Sequence, residues 1–238
     1  AARVYARLAP GSPHALHMPS HIFTRLGLWD ESIASNLASA EKARNYLARV
    51  MPGATAFDEL HAVDYLVYAY LQQGRVDDAR VLVEKTKNVT KLNVANQFAA
   101  AYAISAVPAR FALERHEWKE AAALPVPTVV DWTKVPDGEG NIHFPRGIGG
   151  VRSGNLDVAR DAVTRLAAIH QTLLDQKDPY WAGQVEIQRL SVAAWIAHAV
   201  LVELHIHTGK QHRRRRDDEA LMREVDARTQ AFDLCDGH

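Results

Sequence analysis

The stretch PHALHMPSHIFTRLGLWDESI, Pro13–Ile33, guides the interpretation of the whole chain. It contains His14, His17 and His21, which are three and four residues apart. That spacing places all three imidazoles on one face of a helix. Pro19 lies among them, and a proline has no amide N–H and disfavours helix at the residue before it. We therefore predict a helix that is either kinked at this proline or begins there.

A second stretch, Leu60–Arg80 (LHAVDYLVYAYLQQGRVDDAR), repeats this layout. Sliding the first stretch by 47 residues aligns Gly27 with Gly74. The same shift aligns three pairs of polar residues: His14 with His61, His17 with Asp64 and His21 with Tyr68. Similar turns follow at His116 and Gly154, so the spacings are 47, 42 and 38 residues. Helical pairs at such intervals predict a solenoid, in which each pair buries its face on the next.

The helical pattern continues along most of the chain, whereas strand signals are nearly absent. Residues 125–140 (PVPTVVDWTKVPDGEG) are rich in Pro and Gly, so we predict a long surface loop there. The helix after this loop is predicted to be weak, because prolines and glycines oppose it. The predicted helices lie at about 29–49, 57–73, 76–87, 97–114, 118–124, 142–152, 156–174, 179–207 and 217–235.

Composition narrows the class of protein. Hydrophobic residues make up 47% of the 238, as in an ordinary folded chain, and the 28 basic and 28 acidic side chains balance. This balance gives no general electrostatic case for nucleic acid. No apolar run approaches the roughly 20 residues that a membrane span needs, so no membrane partner is predicted. The chain begins inside a helical pattern without a Met, and we expect a piece of a longer, cytoplasmic protein.

The turns share a signature, Gly-x-x-acidic-acidic-Ala, which is most complete in GRVDDA at Gly74–Ala79. Diverged copies are GLWDES, HEWKEA and GNLDVA, beginning at Gly27, His116 and Gly154. These units resemble the tetratricopeptide repeat (TPR) over about residues 13–175, although the family's spacing is a regular 34. The first stretch is also similar to a group of longer bacterial TPR-like proteins without established activity.

The resemblance implies an all-α, TPR-like helical-hairpin solenoid with degenerate repeats. Residues 1–175 would form the repeats, with a partial first repeat, and residues 176–238 a divergent C-terminal helical cap of the same solenoid. In TPR proteins, certain positions of the first helix in each pair face a concave groove that binds partners. Carried over to this chain, those positions are His14, His17, His21, His61, Asp64, Tyr68 and Arg110.

Two functions from different classes follow from this groove. The leading interpretation is a binding scaffold for a peptide, a protein or a small ligand, without catalytic residues, and a second copy of the chain is a further candidate partner. The alternative is a metalloprotein or metalloenzyme, because neutral imidazoles with a carboxylate suit Zn, Cu, Ni or Fe. Its ligands would come from His17, His21, His61, His14 and Asp64. A purely structural module of a longer chain is a third interpretation.

Other motifs have weaker cases. The pattern His205-x-His207 cannot share a helix face, and the basic run at Lys210–Arg216 is partly neutralised by the acids after it. GIGG at Gly147–Gly150 follows no strand and lacks the lysine of a phosphate-binding loop. The single cysteine, Cys235, has no activating partner and excludes a disulfide within the chain. Three residues flank the predicted loop as a candidate lid over the groove: Trp132, His143 and Phe144.

Overall fold

The computed structural model describes residues 2–93, 97–207, 222–223 and 225–226. Within these residues the regular structure is helical, and β-pairing is limited to a single isolated bridge between Thr55 and Leu92. The predicted all-α class is therefore confirmed. The helices are α1 (Ala2–Tyr5), α2 (Pro13–His17), α3 (Pro19–Arg25), α4 (Trp29–Val50), α5 (Phe57–Gln72), α6 (Val76–Lys87), α7 (Gln97–Glu114), α8 (Trp118–Ala122), α9 (Pro136–Arg152), α10 (Leu156–Asp175) and α11 (Pro179–His207).

The N-terminal histidine stretch folds as two short helices. α2 ends at His17 and α3 begins at Pro19, so the proline restarts the helix as one of the two predicted outcomes. Ser12 caps α2, because its hydroxyl accepts a hydrogen bond from the Ala15 amide at 3.3 Å. Both helices pack on α4, and α2 also contacts α5. The first histidines are thereby brought next to the second helical pair.

The turns between helices share one backbone conformation. Gly27, Gly74 and Gly154 have φ values of 69°, 70° and 81°, and His116 and Lys177 adopt the same left-handed region at 56° and 61°. After each of these residues, the next amide donates to the carbonyl five residues before it, at 2.7–2.9 Å. This bond and the left-handed residue together define the Schellman ending of a helix. The predicted turn positions thus coincide with real helix ends.

A small residue follows each predicted turn after five positions and allows the second helix to approach closely. Ser32, Ala79, Ala121 and Ala159 are all fully buried, with an exposed fraction of 0%. Ala182 occupies the same position after Lys177 and is 1% exposed. A larger side chain at these positions would separate the two helices of a pair.

The loop predicted at 125–140 is shorter than expected, and this prediction is corrected. α9 begins at Pro136, which occupies the first turn where a missing amide N–H costs nothing. Val130 and Val135 of the preceding segment are buried, and the Trp132 indole donates to the Pro127 carbonyl at 2.7 Å. The segment from residue 125 to residue 135, here called the strap, therefore packs against the rest of the protein.

Close packing explains why a glycine-rich segment forms α9. A Cβ on Gly149 would lie 2.5 Å from the Trp118 carbonyl oxygen and from the Ala122 amide nitrogen of α8. A Cβ on Gly150 would lie 2.9 Å from backbone atoms of Asn155 and Ala159 of α10. The glycines thus admit two neighbouring helices at distances that no other residue allows. The GIGG motif is accounted for by this helix packing.

The long helix α11 buries a narrow face. Val185 and Trp195 are buried, whereas Ile187 and Leu190 are 40% and 52% exposed. Val192 takes an inner position and packs where α9 has a glycine. By length and composition alone, residues 179–202 also qualify as a candidate membrane span, which the sequence analysis did not predict. One such helix is weak support for a membrane location.

The chain divides into two compact units, Ala1–Ile196 and Ala197–His238. The candidate site described below lies entirely in the first. The predicted division at residue 175 stays a prediction. Three features of the sequence lie outside what the structure describes: the side chains of His205 and His207, the basic run at Lys210–Arg216, and Cys235. The predicted final helix is described only at 222–223 and 225–226, which are helical.

Candidate metal centre

Three histidines from three helices converge at one place. The Nε2 atoms of His17 and His21 are 3.0 Å apart, and the ring centroids of His17 and His61 are 4.3 Å apart. One ring nitrogen from each of the three lies within 4.8 Å of the others. The i, i+4 spacing survives the break at Pro19, so α2 and α3 present His17 and His21 together toward α5.

Asn36 on α4 fixes the ring of His17. The Asn36 amide nitrogen donates to the Ser32 carbonyl at 2.8 Å, which leaves its Oδ1 as an acceptor. His17 Nδ1 lies 2.6 Å from that oxygen and therefore carries the proton. The other nitrogen, Nε2, keeps its lone pair and faces His21. Orientation of a ligand histidine through its opposite nitrogen is the usual arrangement in metal sites.

His17 is held in the neutral form that a metal ligand requires. It is 1% exposed, and burial lowers its pKa from 6.5 to about 2. Repulsion from His61, His21 and His14 lowers the pKa further, while the hydrogen bond that His17 donates to Asn36 acts in the opposite direction. Metal binding does not have to displace a proton from this nitrogen.

Tyr65, which the sequence analysis missed, contacts the same cluster. Its hydroxyl lies 2.8 Å from His21 Nδ1, and its ring packs edge-on against His17 with centroids 4.8 Å apart. Burial raises the pKa of Tyr65 to about 12, so the hydroxyl stays protonated. The signal was available in the sequence, because Tyr65 follows His61 by four residues and shares its helix face. Tyr68 instead packs against Trp29, at 5.6 Å between centroids.

Asp64 and Arg110 form a pair of their own. The Arg110 guanidinium donates to the Asp64 carboxylate and, at 3.3 Å, to the Asp64 carbonyl. Asp64 is 5% exposed, and Arg110 also lies over the Tyr68 ring at 5.4 Å. Asp64, Tyr68 and Arg110 thus meet between α5 and α7, and the Asp64 carboxylate is committed to the arginine.

His14 lies at the edge of the cluster, and its charge acts on Asp58. His14 is exposed, and its ring centroid is 6.5 Å from that of His17. Asp58, on the first turn of α5, was not singled out from the sequence. Burial raises its pKa, and nearby His14 partly offsets that effect.

The cluster has the dimensions of a site for one transition-metal ion. Two imidazole nitrogens about 2.0–2.1 Å from one ion in tetrahedral geometry are about 3.3 Å apart. The 3.0 Å between His17 Nε2 and His21 Nε2 is close to that spacing. The His61 nitrogen lies within 4.8 Å of the other two, so it would have to move closer to complete a three-nitrogen set. His17 is buried, whereas His21 and His61 are half-buried.

The remaining candidates have structural contacts. His143 is buried with its Nε2 3.2 Å from a Glu139 carboxylate oxygen, and within the described ranges its Nδ1 has no hydrogen-bond partner. Phe144 is 9% exposed, and Trp132 packs beside Gly138. Trp132 packs against buried residues of α7 and of the segment before α9. Comparisons with protein-family models, with curated proteins and with solved structures found no match to this chain.

Proposed function

We propose that this protein is a helical-repeat scaffold that binds one divalent transition-metal ion through His17, His21 and His61. The observation that carries the proposal is the convergence of three imidazoles from α2, α3 and α5, with ligand nitrogens within 4.8 Å of one another. Imidazole is a preferred ligand of Zn²⁺, Cu²⁺, Ni²⁺ and Fe²⁺. Three histidines leave at least one coordination position for water or a further ligand.

The proposal is supported by the environment of each ring. Asn36 directs the lone pair of His17 inward, and burial keeps His17 neutral. When Nε2 of His21 binds an ion, its Nδ1–H would donate a hydrogen bond to the Tyr65 hydroxyl oxygen. The two rings with the closest nitrogens are therefore both oriented by hydrogen bonds from the opposite side.

We also propose a TPR-like arrangement of the helical pairs. Support comes from the left-handed residue that recurs at each turn and from the fully buried small residue five positions later. In this arrangement α3, α5, α7 and α9 are the first helices of successive pairs. The short α8 and the strap before α9 are departures from a regular repeat.

A second candidate function is the binding of a peptide, protein or small ligand on the same surface. The exposed His14 beside the half-buried His21 and His61 supports it, because these rings offer polar contacts to a partner. The half-buried Tyr68 and Arg110 extend this polar surface onto α7, where the buried Asp64 holds the arginine in place. Binding by this surface alone would survive removal of metal by a chelator.

The decisive experiment is elemental analysis of the untagged protein after loading with Zn²⁺, Co²⁺, Ni²⁺ or Cu²⁺ and gel filtration. Variants His21→Ala and His61→Ala each remove one ligand. His170→Ala on α10 is the matched control, because His170 is half-buried and distant in sequence from the cluster. We expect one ion per chain in the wild type and the control, and a loss of metal in both cluster variants.

If the wild type holds no more metal per chain than the His61→Ala variant, the proposed metal-binding function is overturned. The peptide-binding candidate would then lead. Circular dichroism of each variant separates lost ligands from lost fold. His21 and His61 are chosen over His17 because His17 is buried and its removal also strands the Asn36 carbonyl.

A further inference from the structure

The outer face of α11 carries an exposed apolar stripe. Its members are alternately four and three residues apart: Gly183, Ile187, Leu190, Ala194, Ala197 and Leu201. Between residues 181 and 201, all of which the structure describes, only these six are exposed. The three large side chains, Ile187, Leu190 and Leu201, are 40%, 52% and 53% exposed. A single exposed apolar residue is ordinary, but an uncharged row of them along one helix marks a candidate interaction surface.

The stripe lies opposite the face by which α11 packs on the protein. That face is formed by four buried residues: Ala182, Val185, Val192 and Trp195. They lie about half a turn around the helix from the stripe. Val185 and Val192 lie against Gly140 and Gly147 of α9. The helix is therefore apolar on two opposite faces, and within the part of the chain that the structure describes only one of them is buried.

The spacing and the size of the stripe suit a second helix. Alternate steps of four and three residues average 3.5, the period that keeps one side of a helix facing a partner helix along its length. From Gly183 to Leu201 the stripe is about 27 Å long. With the width of a helix, it offers roughly 500–600 Å² of accessible surface, so two copies would bury about 1,100 Å². This total lies just above the roughly 1,000 Å² that a specific interface needs.

The order of large and small residues along the stripe favours an antiparallel pair of identical helices. With two copies of α11 antiparallel and centred on residue 192, three levels form: Leu190 against Ala194, Ile187 against Ala197, and Gly183 against Leu201. A large side chain then meets a small one at every level, so the seam is filled without voids. A parallel pair would place alanine on alanine at two consecutive levels and leave gaps.

The residues beside the stripe present no charge that opposes a second copy. Arg189 donates to the Glu186 carboxylate at 2.6 and 2.7 Å, and His170 lies 3.8 Å from the same carboxylate. The other positions at its edges are Gln184, Ser191, Ala193, His198 and Val200. A partner recognised by charge would find little to pair with on this face, whereas an identical copy meets no strong like charge.

The polar residues of α11 disfavour a membrane as the occupant, although the helix is long and apolar enough to cross one. A bilayer around α11 would take the Glu186–Arg189 pair into hydrocarbon, which is costly. Gln188 also donates to Asn141 of α9 at 3.0 Å, which joins this helix to its neighbour through a polar contact.

We propose that this protein forms a symmetric dimer in which the α11 stripes of two copies pack against each other in antiparallel orientation. A two-fold dimer uses the same surface of each copy, as the self-complementary order of the stripe requires. The inference does not rest on the proposed metal-binding function, because the histidine cluster belongs to α2, α3 and α5.

The test is sedimentation of the untagged chain by analytical ultracentrifugation over a wide range of concentrations, with and without a metal chelator. We expect a monomer–dimer equilibrium that the chelator does not change. Leu190→Lys should weaken dimerisation by about 100-fold, because each dimer would then hold two charges in an apolar seam. Val81→Lys is the matched control, since Val81 is 68% exposed on α6, and it should behave like the wild type. Circular dichroism checks that both variants keep their helix content.

A second variant, Ala194→Glu, tests the orientation of the pair. Alone it should also dimerise weakly, because it places a carboxylate in the seam. A mixture of Ala194→Glu with Leu190→Lys should dimerise more tightly than either variant alone, since the two introduced charges face each other in an antiparallel pair. In a parallel pair position 190 faces position 190, and mixing would restore nothing.

Three results would overturn the proposal. The first is a wild type that stays monomeric at every concentration, and co-sedimentation of that monomer with phosphatidylcholine vesicles would assign the stripe to a membrane surface. The second is a dimer that Leu190→Lys leaves intact, because its interface would then lie elsewhere. The third is a dimer that both variants weaken and their mixture does not restore, which contradicts the antiparallel arrangement.

Discussion

At the residue scale, both ring nitrogens of His17 have side-chain partners although the residue is almost fully buried. Nδ1 donates to Asn36 Oδ1 at 2.6 Å, and Nε2 accepts from His21 Nε2 at 3.0 Å. An ion that replaced the contact with His21 would leave the bond to Asn36 intact, so His17 would bind it without turning its ring.

The buried His17 makes the stability of the metal-free protein depend on pH. Its folded pKa of about 2 lies below the unfolded value of 6.5, so below pH 6.5 the unfolded chain binds a proton that the folded chain does not. The metal-free protein should lose about 1.4 kcal/mol of stability for each pH unit below 6.5. The contribution is fully present above pH 6.5. Urea unfolding between about pH 7 and pH 5 measures the slope.

The comparison variant for this prediction is His17→Gln, which does not titrate. Its stability should fall less steeply with decreasing pH than that of the wild type, although its absolute stability is lower. Equal slopes in the two proteins would contradict the prediction, since they would assign the acid sensitivity to other groups.

Helical spacing predicted that His17 and His21 lie side by side, and their rings do lie together. Asp64 and Tyr68 were added to that prediction only from the alignment of the repeats. Spacing is enough to put His17 and His21 on one face, because three or four residues complete a helical turn. Adjacent helices, however, meet at offsets that the alignment of repeats does not contain. Tyr65 therefore reaches the cluster instead of Tyr68, and Asp64 is bound by Arg110.

At the element scale, α9 shows where local propensity fails. Each of its glycines and prolines by itself disfavours a helix, so the sequence predicts a later start for this helix than the structure has. The breaks at Pro19 and Gly27 were predictable, because they arise from the backbone of those residues themselves. α9 depends on contacts with α8 and α10 that are distant in the chain. Such contacts are not visible in a local pattern.

This account of α9 predicts opposite effects for the same substitution in two helices. Gly149→Ala should destabilise the protein by about 1–3 kcal/mol, because its Cβ overlaps backbone atoms of α8. Gly183→Ala in α11 should stabilise it by about 0.5–1 kcal/mol, because nothing lies within 4 Å of the added atom. Denaturant unfolding of both variants checks this. A stabilising Gly149→Ala would show that the helices can separate without cost.

At the scale of the whole molecule, the candidate metal centre joins parts of the chain that are distant in sequence. His17 and His61 belong to different helical pairs, and an ion between them would cross-link α2 to α5. Binding to the folded state alone adds stability of about 2.7 kcal/mol when the free ion is at 100 times its dissociation constant. The centre is therefore expected to act on the stability of the fold as well as on function.

Differential scanning calorimetry with and without Zn²⁺ measures this effect. The melting temperature of the wild type should rise with Zn²⁺ concentration, and that of His170→Ala should rise equally. His61→Ala should show no Zn²⁺-dependent rise, because the link between the two pairs is lost. A rise of the same size in His61→Ala would place the bound ion elsewhere.

The brevity of α2 and α3 has a consequence for the timing of metal exchange. Helices of five and seven residues are too short to persist without their packing on α4, so they belong to the part of the fold that opens most readily. The 16-residue α5 holds the opposite ligand. An ion shared by the two would leave chiefly when the short helices lift away. Its residence time would then report the frequency of that local opening, and a slower metal exchange would accompany any change that tightens α2 and α3 on α4.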